Sequence, residues 1–78
     1  MENVFKQNQK IISFGKKAII IATKKDPYRP KIDPYNRKEL YPKKDYLIMF
    51  FKEIDKNGRE KYEGREDIHQ NQIESPHW

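Results

Sequence analysis

The sequence predicts a small, mainly β fold: a curled sheet or barrel of four to five short strands with one long proline-rich loop. Three observations carry that prediction. Residues Lys17 to Thr23 hold three consecutive isoleucines, Ile19, Ile20 and Ile21. Their branched Cβ restricts χ1 and favours the pleated state. Asp45 to Ile54 alternates, with Tyr46, Ile48, Phe50 and Ile54 on one face and Leu47, Met49 and Phe51 on the other. Asn57-Gly58 then follows, and this pair tolerates the positive φ that a tight hairpin needs.

The elements follow in chain order. Residues 1–9 are polar apart from Val4 and Phe5, and read as a flexible arm that docks through Phe5. Residues 10–74 form the single β domain. Lys10 to Phe14 is a short strand and Gly15-Lys16 a turn. The isoleucine run is the next strand, because no cap precedes it and it is too short to set a 3.6-residue period. Asp45 to Ile54 is apolar on both faces, which makes it a central strand or one covered by the long loop. Arg59 to Tyr62 is its return strand, ended by Gly64. Arg65 to Ile68 reads as one helical turn, and His69 to Ile73 as a last short strand. Residues 75–78 are a tail, whose Trp78 folds back on an apolar patch or docks on a neighbour.

Residues 25–44 are the unusual segment. They contain Pro27, Pro30, Pro34 and Pro42, and a small repeat, Asp26-Pro27-Tyr28 and Asp33-Pro34-Tyr35. Each proline removes a backbone donor and pushes the preceding residue toward extended conformations, so no helix runs through. A loop of this length in a compact domain is usually functional or disordered. Its Tyr28, Ile32, Tyr35, Leu40 and Tyr41 argue for packing. The order strand, long loop, hairpin, single turn and short strand resembles small SH3-like and Tudor-like barrels. The resemblance is architectural, and fold does not fix function.

Composition bounds the function. A chain of 78 residues is one domain at most, with a marginal core. It has no cysteine, so no disulfide supports that core. A partner, or further copies of the chain, is the remaining support. The run Ala18 to Ala22 is far shorter than the ~20 residues of a spanning helix, and no signal peptide is legible. The expected location is the cytoplasm, or a host cytoplasm for a viral protein. Lysine, isoleucine and asparagine usage suggests an AT-rich genome, such as that of a low-GC bacterium or its phage.

No constellation points to catalysis. His69 and His77 match no zinc spacing, and no metal or other cofactor is expected. Asp55 with Glu66 echoes a calcium loop, but Arg59 and Glu60 stand where an oxygen ligand and a glycine belong. Ser13 and Ser75 lack a base and an oxyanion turn, and the three glycines lack phosphate-loop spacing. The protein is therefore expected to be a non-enzymatic binding module, with no small-molecule substrate and no membrane partner.

Charge placement supports two partner classes. Net charge is +5, and residues 1–25 carry six lysines against Glu2 alone. Lys16, Lys17, Lys24, Lys25, Arg29, Lys43 and Lys44 flank the loop, with Tyr28 and Tyr35 among them. Single-strand binders combine such a basic track with aromatic platforms. The rival reading is a structural or inhibitory protein-interaction subunit, such as a phage or viral accessory protein, or a homo-oligomer. Its contact residues are Pro27, Pro30, Tyr41 and Trp78, because aromatic side chains dominate interface hot spots. Tyrosines covering a sheet face, with lysines left in water, fit the same composition.

Overall fold

The computed structural model describes residues 5–29 and 39–78. They form one five-stranded antiparallel sheet of β1 (Lys10–Ser13), β2 (Lys16–Thr23), β3 (Tyr46–Ile54), β4 (Glu60–Ile68) and β5 (Ile73–Ser75), with a 3-10 turn at Gln70–Gln72. The order across the sheet is β4-β3-β2-β1-β5. β4 and β5 are its two edges, so the sheet is open and no closed barrel forms.

Ser13 pairs with Lys16, which leaves Phe14 and Gly15 as a two-residue loop. Their φ values are 56° and 69°, the two positive angles of a type I′ reversal. Lys16, expected in the turn, is instead the first residue of β2. Phe14 is an unusual occupant, because bulky side chains rarely take positive φ. It is also 51% exposed.

β2 and β3 are buried on both faces. One cluster joins Ile11, Ala18, Ile20, Tyr46, Ile48 and Ile68, with Phe5, Phe50 and Ile73 packed against it. The other joins Ile21, Ala22 and Leu47, and is covered by Tyr28 and Leu40 from the two stems of the loop. Each fully buried isoleucine contributes about 1.5–3 kcal/mol. The Tyr46 hydroxyl, buried with them, accepts from the Phe5 N–H (3.2 Å) and donates to Gln70 Oε1 (3.3 Å). Residues 5–9 therefore lie against the sheet, where Asn8 N–H donates to Ile20 O and Ile20 N–H to Gln9 O.

Three register shifts in the β2–β3 and β3–β4 pairs bend the sheet. One lies in β2 between Ile20 and Ala22. A second gives β3 an extra residue, Lys52, between Phe51 and Glu53. An insertion of one residue moves later side chains to the other face. Ile54, expected beside Phe50, consequently leaves that face and is 62% exposed.

The third shift corrects the reading of Gly64. Ile48 pairs with Glu66 and Phe50 with Glu63, so Gly64 and Arg65 together oppose Met49. Gly64 has φ 70°, the left-handed geometry of a glycine bulge. It does not end the strand. β4 runs on to Ile68, and the helical turn expected at Arg65 to Ile68 is extended chain. The last strand also begins later than expected, at Ile73, and includes Ser75. Ser13 Oγ, fully buried, donates to Gln72 O at 2.8 Å and ties the 3-10 turn to β1.

The β3–β4 hairpin is where Asn57-Gly58 placed it, by a different mechanism. Only Gly58 takes a positive φ, 77°. Asp55 N–H donates to Arg59 O (2.9 Å) and Gly58 N–H to Asp55 O (3.0 Å). Asp55 Oδ1 accepts from the N–H groups of Asn57 (2.8 Å) and Arg59 (2.9 Å). This is a three-residue loop closed by a left-handed glycine.

Gly64→Ala isolates the backbone contribution of the bulge. A Cβ there meets nothing within 4 Å, so sterics with neighbours add nothing. The left-handed conformation alone should lower unfolding free energy by about 1–2 kcal/mol. Urea denaturation of the two proteins measures it, and an unchanged midpoint would refute the bulge geometry.

Candidate nucleic-acid interface

The lysines that the sequence groups together divide between the two ends of β2. Lys16 and Lys17 open the strand, and Lys24 and Lys25 follow its last residue. Eight residues of extended chain separate the pairs by about 26 Å. Pro30 and Tyr35 lie outside the described residues.

At the first end the lysines meet aromatic rings of their own chain. Lys16 Nζ lies 5.7 Å from the Phe50 centroid. Lys17 Nζ and Lys10 Nζ lie 5.5 and 4.7 Å from the Trp78 ring. Trp78 folds back across β1 and β2. Its indole N–H donates to the carbonyls of a paired set, Ile11 O (2.8 Å) and Ala18 O (3.0 Å). Its ring meets Phe51 edge-on at 5.2 Å and Tyr62 at 6.4 Å. Glu60 closes the group by accepting from Lys10 Nζ and from the Tyr62 hydroxyl, both at 2.7 Å. The lysine contact, then the tyrosine, holds the Glu60 carboxyl below its ordinary value. Burial, reinforced by Glu60, pushes the Tyr62 hydroxyl up to about 12.

The second end gathers cations from the segments that follow β2 and precede β3. Thr23 pairs with Tyr46, so Lys24-Lys25 and Lys43-Lys44 flank the same end of the β2–β3 pair. All four are exposed. Thr23 Oγ1 accepts from the N–H groups of Lys25 (3.2 Å) and Asp26 (3.0 Å), which turns the chain out of β2. Asp67 Oδ1 accepts from Lys43 N–H at 2.7 Å, which fixes the other stem. Asp45 sits between the stems. The Gln70 N–H, donating to its Oδ2 at 2.7 Å, holds its carboxyl below the ordinary value against partial desolvation. Lys24 (3.6 Å) and His69 (3.8 Å) add to that effect.

The loop stems sort their aromatic rings by direction. Tyr28 and Leu40 exchange backbone hydrogen bonds at 2.9 and 2.8 Å, and both side chains cover the sheet. Tyr28 is thus half-buried cover rather than an open platform. Pro27 is also half-buried, and its carbonyl accepts from Gln7 Nε2 at 3.1 Å. Arg29 is paired with Glu39 at 3.0 Å. Tyr41 points away and is 54% exposed. It shares a shallow groove with Leu40, Lys43, Leu47, Arg65 and Asp67. Arg65 and Asp67 were not candidates on sequence grounds. Ending the return strand at Gly64 removes both from this face, and only the bulge restores them.

Trp78→Ala should lower unfolding free energy by about 2–3 kcal/mol, since a half-buried indole with aromatic neighbours is lost. Trp78→Phe should recover most of that in thermal unfolding; equal losses in the two variants would show that the hydrogen bonds dominate. Asp45 makes a separate, pH-dependent contribution. A depressed folded value means that its stabilisation is present above the ordinary 3.8 and is lost as pH falls through the folded value. The stability gap between the wild type and Asp45→Asn should therefore narrow as pH falls below 3.8, and a constant gap would contradict the assignment.

No protein-family model, curated protein or solved structure matches the chain.

Proposed function

We propose that the chain is a small non-catalytic binding module of SH3-like architecture that contacts nucleic acid through Lys24, Lys25, Lys43 and Lys44. The β2–β3 register carries this reading, because it sets two lysine pairs, eighteen positions apart in sequence, at one end of the sheet. Four exposed cations on fixed stems suit a phosphate backbone, which is recognised by charge and is indifferent to sequence. The strand order β4-β3-β2-β1-β5, with a 3-10 turn before β5, supports the architectural part.

One observation favours a protein-contact reading. Phe14 is an exposed aromatic held at positive φ beside Phe50, with ring centroids 6.4 Å apart. Bulky residues in such conformations cluster at functional positions. Light scattering that finds dimers of the wild type and monomers of Phe14→Ser would favour this second reading.

Anisotropy titration with a labelled single-stranded oligonucleotide tests the first. Affinity should fall steeply between about 50 and 200 mM salt. The log–log salt slope should shrink by about 0.7 for each of Lys43→Ala and Lys44→Ala, whereas Lys16→Ala leaves it unchanged. Absence of binding at low salt ends the proposal.

A further inference from the structure

We infer that the groove beside Lys43 receives one unpaired nucleobase, stacked on Tyr41, with its phosphate held by Lys43 and Arg65. This rests on the nucleic-acid reading above and adds to it a base-binding subsite and a preference for single strands.

The groove has a volume of about 210 Å³ and is lined by Leu40, Tyr41, Lys43, Leu47, Arg65 and Asp67. That is below the roughly 300–1,000 Å³ of ordinary small-molecule pockets. It suits one flat ring system. Leu47, nearly fully buried, and Leu40 give it an apolar floor. Tyr41 is the most exposed tyrosine among the described residues and provides an aromatic wall. Of the two loop tyrosines among the described residues, Tyr28 is committed to covering the sheet and Tyr41 is the open platform.

Charge selects the occupant. Lys43 and Arg65 are exposed and make no ion pair among the described residues. Arg65 stands here because the Gly64 bulge re-aims β4. Asp67 is the one acid on the lining, and its Oδ1 is already taken by Lys43 N–H. The lining therefore carries two cations against one acid, next to an apolar floor and an aromatic wall. A planar apolar ring bearing an adjacent anion matches all three features, and a nucleotide of a single strand is such a group. In a duplex both ring faces are stacked on neighbouring bases, so Tyr41 would have no face to meet.

Lys43 belongs both to the groove and to the four-lysine end. A strand whose phosphates follow Lys24, Lys25 and Lys44 would thus pass Lys43 with one base turned onto Tyr41.

The experiment compares two labelled hexanucleotides at low salt. One is an ordinary single strand, and the other is its abasic counterpart with the same phosphates. The base-bearing strand should bind more tightly by about 5- to 150-fold, the range for one stacked base. Tyr41→Ala should remove that advantage and leave the abasic affinity unchanged, and Tyr41→Phe should retain it. Tyr41 is exposed, so unchanged thermal unfolding of both variants checks that the fold is intact. Equal affinity for the two strands, or an advantage that survives Tyr41→Ala, overturns the subsite while phosphate binding stands. Failure of both strands to bind overturns the nucleic-acid reading as well, and leaves a protein side chain as the groove's occupant.

Discussion

The β2–β3 pair is apolar on both faces, and that constraint organises the rest of the chain. Ile20 and Ile48 pair directly and point into one cluster, while Leu47 and Ala22 point into the other. A strand pair of this kind is normally buried between two layers. Among the described residues there is one sheet and no second layer. The chain covers one face with Phe5 and Ile73, from segments before β1 and after the 3-10 turn. It covers the other with Tyr28 and Leu40, from the two stems of the loop. The loop stems and the flanking segments thus serve as parts of the core.

Those covers decide which side chains stay in water. The backbone bridge between Tyr28 and Leu40 fixes both side chains toward the sheet. Tyr41, one residue on, faces away. The same parity acts on β2, where Ala18 and Ile20 are buried and Lys17 meets Trp78 on the opposite face. The two edges follow another rule. β4 carries six charged residues and a glycine bulge, and β5 has only three residues. Charge, bulges and shortness all discourage pairing with a foreign strand. Exposure in β4 is therefore compatible with a stable single sheet, and the bulge that blunts the edge also moves Arg65.

The strands with a strong apolar signal were legible in the sequence. Branched residues mark β2, alternating aromatic and aliphatic residues mark β3, and Asn57-Gly58 marks the hairpin between β3 and β4. What escaped was set by tertiary context. β4 reads Glu-Lys-Tyr-Glu-Gly-Arg-Glu-Asp-Ile, with no apolar period, because an edge strand buries little. Its glycine looks like a terminator, since bulge and terminator place the same demand on φ. The extra residue at Lys52 is invisible without a partner strand to count against, so Ile54 could not be assigned its face. Of the candidate site, the four lysines near the loop stems were readable from charge. Their division from Lys16 and Lys17 needed only the length of β2, but their convergence needed the β2–β3 register.

Aromatic residues show why composition alone was ambiguous about function. Tyrosine and lysine interleaved in sequence fit both a stacking surface and a covered sheet. The fold contains both arrangements. Trp78, Phe51 and Tyr62 form a closed group in which the indole N–H and the Lys10, Glu60 and Tyr62 polar groups all have partners. A group so fully satisfied has little left to offer a ligand, and its physical role is to hold the chain after β5 against the sheet. Tyr41 is the opposite case, with an exposed ring on a groove that Lys43 and Arg65 also line. The difference lies in register and chain direction, which fix whether a ring's neighbours are its own backbone or open solvent.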